Sequence, residues 1–337
     1  MAPSLPTGIA LTLAAGLMSG NCMLPMKLTK AWKFENTWLV FTIVSLAILP
    51  WGLAAALVAH LGMTYEGMTL SGLAIPFLFG AGWGVAQVLF GISVERLGLG
   101  LAYAIIVGLG AVLGTLVPLF AQHRSDAGPR ALLEILLGVA MMAAGIGISA
   151  WGGRLLERGK DGRANQSVTS GYVTAIMLAI LCGILAPMLN FSFAFGQDIA
   201  HQAVHLGNSE VRAAYAVWPI GLAGGFIPNI VYSLYLLRRN RTWAAFRRNT
   251  ADSVMPILMG ILWMGAFAVY GMSAVYLGAL GTSVGWGIFQ IFMILTANLS
   301  GVLTGEWRSA PPAVRLVLMG GVACLICATG LLALGNH

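Results

Sequence analysis

Long apolar runs separated by short polar loops fill most of this 337-residue chain. A helix needs about 20 apolar residues to cross the hydrocarbon of a bilayer, because each residue advances it by only about 1.5 Å. Ten stretches reach that length, near 5–25, 37–59, 71–95, 99–121, 131–151, 170–196, 213–237, 254–278, 282–304 and 312–334. None shows the period-two alternation of a membrane barrel strand, so the pattern predicts helices 1 to 10 in that order. The first stretch has no basic residues before it and three lysines, Lys27, Lys30 and Lys33, behind it, which predicts a retained helix rather than a signal peptide.

Composition agrees with the pattern. Hydrophobic residues make up 58% of the chain and charged residues 9%, and the mean hydropathy is +0.86. A soluble domain carries roughly a quarter charged residues, so a water-facing surface cannot be built from this sequence.

The basic residues predict the orientation. Loops after odd-numbered helices hold 14 of the 18 Lys and Arg residues, and loops after even-numbered helices hold only Arg124, Arg130 and Arg212. The positive-inside rule places the odd loops in the cytoplasm and both termini outside. The net charge of +7 is then topological, and no nucleic-acid partner is expected, since these charges sit in short loops. Cys22, Cys182, Cys324 and Cys327 all fall in predicted helices; the last two form a CxxC with no further ligand nearby, which reads as packing rather than metal or redox chemistry.

The chain also repeats itself. At a shift of 180 residues, Pro76, Leu78, Gly80, Trp83, Ala86, Gly91, Ser93, Leu97 and Gly98 fall on Pro256, Leu258, Gly260, Trp263, Ala266, Gly271, Ser273, Leu277 and Gly278, nine identities in 23 ungapped positions. At a shift of 183, Gly138, Val139, Ala140 and Gly147 fall on Gly321, Val322, Ala323 and Gly330. The expected organisation is a five-helix repeat over 1–152, a cytoplasmic linker over 153–169 and a second five-helix repeat over 170–337. Five is odd, so the second repeat enters the membrane from the opposite side. Inverted repeats of this kind typify secondary transporters, in which the two halves exchange conformations around a central site. Glycines four apart, such as Gly80 and Gly84, Gly110 and Gly114, and Gly221 and Gly225, allow close helix contact.

Several segments resemble one known family. Ile48-Leu49-Pro50-Trp51, the run Phe77 to Gly84 (FLFGAGWG), Gly114-Thr115-Leu116, Glu306-Trp307 and the basic loop around Lys27, Trp32 and Lys33 look like those of the L-rhamnose–proton symporter family, within the drug/metabolite transporter superfamily. The resemblance implies an all-α membrane protein of ten transmembrane helices in two inverted five-helix repeats. It also implies uptake of a deoxysugar with protons across the plasma (inner) membrane, with a monosaccharide, protons and the lipid bilayer as partners. His201 falls where that family also has a histidine, before Leu206-Gly207.

Polar groups deep in apolar helices are costly and mark candidate function. Sugar sites combine flat aromatic faces with amide and hydroxyl groups. Trp83 and Gln87 lie four apart on helix 3, as do Trp286 and Gln290 on helix 9. Helix 8 offers Trp263 and Tyr270, with Phe267 at the repeat position of Gln87; helices 1, 4 and 6 offer Asn21, Tyr103 and Asn190; helix 7 offers Trp218 and Asn229. Each of these amides and indoles could instead serve packing. No acidic residue lies near a helix midpoint. The proton-coupling candidates are therefore Glu306, His201 and Glu95, at helix ends or in a loop, where an ordinary solvated charge is the competing reading. No HExxH, GxSxG or paired Asp motif is present, so no enzyme activity, cofactor or metal site is expected. Other drug/metabolite carriers remain open: an uncoupled facilitator, a nucleoside or amino-acid carrier, or a drug exporter.

Overall fold

A computed structural model describes residues 4–97, 99–122, 124, 127–161, 170–303 and 310–336, and among these there is no strand. The long helices are α1 (Leu5–Asn21), α2 (Phe34–Leu57), α3 (Leu70–Leu97), α4 (Leu99–Gln122), α5 (Pro129–Asp161), α6 (Ser170–Leu185), α7 (Val217–Asn240), α8 (Val254–Leu277), α9 (Val284–Leu303) and α10 (Pro312–Leu334). Helices follow from the medium: hydrocarbon offers no partner to backbone N–H and C=O groups, so each segment must satisfy its own. Nine segments among the described residues are long and apolar enough to cross a bilayer, and α9 contributes a shorter apolar stretch, Val284–Ser300.

Three details differ from the expectation. The sixth helix is not continuous: it breaks around Ala186-Pro187 and resumes as Met188–Ala194, because proline supplies no N–H to the preceding turn. His201 and His205 sit on a further helix, Gln197–His205, rather than in a loop. Helix α5 continues to Asp161, well into the segment read as a linker; residues 162–169 lie outside the described residues. In α2 a π-helical turn over Ile43–Ile48 precedes Pro50, and its Val44 packs on Gly260 of α8.

Packing pairs helices that are far apart in the chain. Helix α1 lies against α8 and α9, and α6 lies against α3 and α4; α3 packs on α7, α2 on α7 and α8, and α5 on α10. Glycine makes the tightest crossing possible. A Cβ at Gly80 would overlap the Gly221 carbonyl oxygen, and one at Gly84 would lie 2.6 Å from the Gly225 oxygen, so α3 and α7 touch backbone to backbone. The molecule is apolar outside as well as inside: Leu70, Leu78, Met177, Leu316 and Met319 are all exposed. Helices α8 and α9 are the most enclosed, with more than half of the described residues of each buried, so together they form the centre of the bundle.

Candidate functional site

Helix α8 brings its aromatic face to that centre. Trp263, Phe267 and Tyr270 recur at four and three residues, on one side of a 3.6-residue helix. Trp263 stacks on Trp83 of α3 with ring centroids 5.3 Å apart and an interplanar angle of 24°. The two tryptophans that the internal repeat aligns are thus in direct contact. Gly225 of α7 provides the space: a Cβ there would lie 2.8 Å from the Trp83 ring. From Trp263 the rings continue through Phe267 at 4.5 Å to Phe289 of α9 at 5.5 Å, and on to Tyr270 and Trp286 at 5.2 and 5.7 Å. Phe193 and Trp218 stack at 4.7 Å beside Phe267 and Tyr270. Offset and edge contacts of this kind are worth about 0.5–1.5 kcal/mol each beyond the area they bury.

The polar groups divide into those with partners and those without. Asn190, fully buried on Met188–Ala194, donates from Nδ2 to the carbonyls of Gly114 (3.0 Å) and Thr282 (2.8 Å). Its Oδ1 accepts from the Tyr270 hydroxyl at 2.6 Å, so this one side chain joins α4, α8 and the turn before α9. Trp286 donates from Nε1 to the Gly110 carbonyl at 3.2 Å, and its ring fills the space where Gly114 lacks a Cβ. The Gly110–Gly114 pair therefore seats an indole and the Asn190 amide, with the Gly183–Pro187 stretch at the end of α6 beside Gly110. Gln87 on α3 is half-buried and Gln290 on α9 is buried, and no hydrogen bond joins either amide to another described residue. An amide without a protein partner has its donors and acceptor free for a ligand hydroxyl.

Asn21 is engaged. It donates to the Leu17 carbonyl at 2.9 Å and accepts from Ser300 at 2.5 Å. Ser300 is ten residues beyond Gln290 on α9, about 15 Å along the axis. Asn21 thus ties α1 to the far part of α9 through its own hydrogen bonds. Asn229 is likewise engaged, accepting from Trp38 at 3.1 Å and donating to Gly225 at 2.9 Å. Tyr103 and Glu95 are on α4 and α3, but their side chains lie outside the described residues, as does all of Glu306. His201 is exposed, with Nδ1 3.9 Å from an equally exposed Asp198 carboxylate.

A cavity of about 340 Å³ opens at the α8–α9 end of the bundle, lined by Gln122, Phe193, Gln197, Asp198, His201 and Thr282 among others. Gly278, with φ of +79°, turns the chain there in a conformation that side chains disfavour.

A family model described as L-rhamnose-proton symport protein (RhaT) matches residues 1–337. The chain belongs to that family. A relative from Escherichia coli named L-rhamnose-proton symporter is 28% identical over 334 residues, 95% of each chain. Like-named relatives from Shigella boydii and Salmonella gallinarum are each 27% identical, also across 95% of each chain. The family is one of transporters, not enzymes, and its members are integral membrane proteins, in keeping with the apolar helices.

In this family member the sequence pattern identified Trp83, Trp263, Tyr270, Trp286 and Asn190 as site candidates, and the fold gathers all five into one cluster. It missed Phe289 and Phe193, which look like ordinary core residues in an apolar run. It also missed Gln122 and Gln197, which stand at helix ends and read as solvated; their spacing carries no signal of a shared cavity.

Proposed function

We infer that this chain takes up L-rhamnose, or a closely related deoxysugar, together with protons. The observation that carries the reading is the pair of unpartnered amides, Gln87 and Gln290, beside a buried aromatic cluster in a chain whose whole length matches a sugar–proton symport family. Rings cover the apolar faces of a pyranose, and free amides meet its hydroxyls. Transport proceeds by alternating access between two inverted five-helix repeats, ten transmembrane helices in all, an organisation shared with the drug/metabolite transporter superfamily. Two facts favour this. The repeat-aligned Trp83 and Trp263 stack, and the helix contacts come in matched pairs: α1 on α8 and α9 corresponds to α6 on α3 and α4. The Lys and Arg distribution supports both termini facing outward. Trp83, Gln87, Tyr103, Asn190, Trp263, Tyr270, Trp286 and Gln290 form the substrate region in this reading, and Glu306, His201 and Glu95 are the candidates for proton transfer.

Uptake of labelled L-rhamnose into proteoliposomes tests it. An inwardly directed proton gradient should accelerate uptake and a protonophore should abolish that gain. Uptake indifferent to the gradient would make the protein a facilitator, and no sugar uptake would point to another carrier class. A C-terminal reporter active only in the cytoplasm should be silent; an active one would reverse the orientation.

A further inference from the structure

The cavity at the α8–α9 turn is lined by none of Trp83, Gln87, Trp263, Trp286 or Gln290, and its walls are specific. Phe193 presents an aromatic ring from below. Gln122 donates from Nε2 to the Ala194 carbonyl at 3.3 Å, and Gln197 donates to the Phe193 carbonyl at 2.9 Å. Each amide is thereby held in place while no described residue donates to either Oε1. With the Asp198 carboxylate they form a wall rich in acceptors. Such a wall suits a neutral polyol, whose hydroxyls can each donate to it. The volume of about 340 Å³ lies within the range of small-molecule sites.

Beneath this cavity lies the Asn190 junction. Thr282 lines the cavity and its carbonyl accepts from Asn190; the Phe193 ring is 6.1 Å from Tyr270. Tyr270 in turn adjoins Trp286 at 5.8 Å, on the side of the central rings. Asn190 and Tyr270, both fully buried, therefore lie between the cavity and the central rings.

We propose that this cavity is a second, outer monosaccharide site, which loads the central site through the Asn190–Tyr270 junction. The proposal rests on the uptake reading given above. A sugar moving inward from the cavity past Thr282 offers hydroxyls that can replace the bonds Asn190 makes to Gly114, Thr282 and Tyr270. The junction then opens without leaving a buried polar group unpaired. Substrate held by Gln197 and Asp198 sets the apparent affinity for uptake from that face, and the central amides set the affinity for the transported state.

Two measurements on the full-length protein test this. In proteoliposomes, the double variant Gln197→Ala/Asp198→Ala should raise the KM for L-rhamnose uptake tenfold or more with the maximal rate within twofold. In a second variant, Ala279→Cys, placed in the cavity wall, L-rhamnose should slow labelling by a small polar maleimide. That protection should persist when Gln87→Ala and Gln290→Ala are added, and vanish when Gln197→Ala/Asp198→Ala is added. Wild-type transport with an unchanged KM in the double variant, or protection lost with the central variants, overturns the outer site alone. Absence of transport by the wild type overturns the uptake reading and the outer site with it.

Discussion

Replacing Gly80 by alanine tests the closest contact in the fold. The added methyl overlaps the carbonyl oxygen of Gly221, and that oxygen belongs to a helix backbone which cannot rotate aside. A carbon normally sits about 3.3–3.6 Å from a carbonyl oxygen, so α3 and α7 must separate by more than about 1 Å. The neighbouring Gly84–Gly225 contact, and the seat of Trp83 against Gly225, open with them. Overpacking of this kind costs about 1–3 kcal/mol, and here the upper end applies because the obstructing atom is backbone. At roughly 2–4 °C per kcal/mol, Gly80→Ala should lower the apparent Tm of the purified protein by on the order of 5–10 °C. Gly91, in the same helix, has nothing within 4 Å of its absent Cβ and is the matched control. Gly91→Ala should raise stability by about 0.5–1 kcal/mol, through reduced backbone entropy of the unfolded chain. Thermal unfolding of both variants, followed by circular dichroism at one scan rate, gives the comparison. If Gly80→Ala is as stable as Gly91→Ala, the α3–α7 backbone contact is wrong.

Asn190→Leu removes three hydrogen bonds at once. Interhelical bonds in membranes average about 0.6 kcal/mol, so a loss of about 2 kcal/mol in thermal unfolding is expected, together with impaired transport; unchanged values for both would refute the junction. Trp286→Phe keeps the ring but loses the bond to Gly110, and should cost less than about 1.5 kcal/mol in the same assay. A larger loss would mean that the indole does more than fill the Gly114 space. Gln87→Ala and Gln290→Ala should each weaken L-rhamnose binding by about 1–3 kcal/mol, roughly 5- to 150-fold by calorimetry, while the exposed Glu66→Ala stays neutral. Unchanged affinity in both glutamine variants, with the protein folded, would return these amides to helix packing.

The sequence by itself settled the all-helical membrane class of the fold. Apolar length fixes a membrane helix one stretch at a time, since the bilayer imposes the same backbone requirement on every segment. Composition likewise excluded a water-facing surface, and identity at a fixed shift marked Trp83 and Trp263 as counterparts before their contact was visible. Which polar group has a partner could not be read that way. Asn21 and Asn190 are the same residue type near prolines in the first and sixth apolar stretches, yet one ties Ser300 at the far part of α9 and the other joins three elements at the centre. The partners of Asn190 lie 76 to 92 residues away, and no local pattern encodes which carbonyls arrive there. The tertiary structure alone decided that Gln87 and Gln290 stay unpartnered, and that Gln122 and Gln197 share one cavity from helices 75 residues apart in the chain. Helix formation is a local free-energy rule; the satisfaction of a buried amide depends on which distant backbone the packing brings to it.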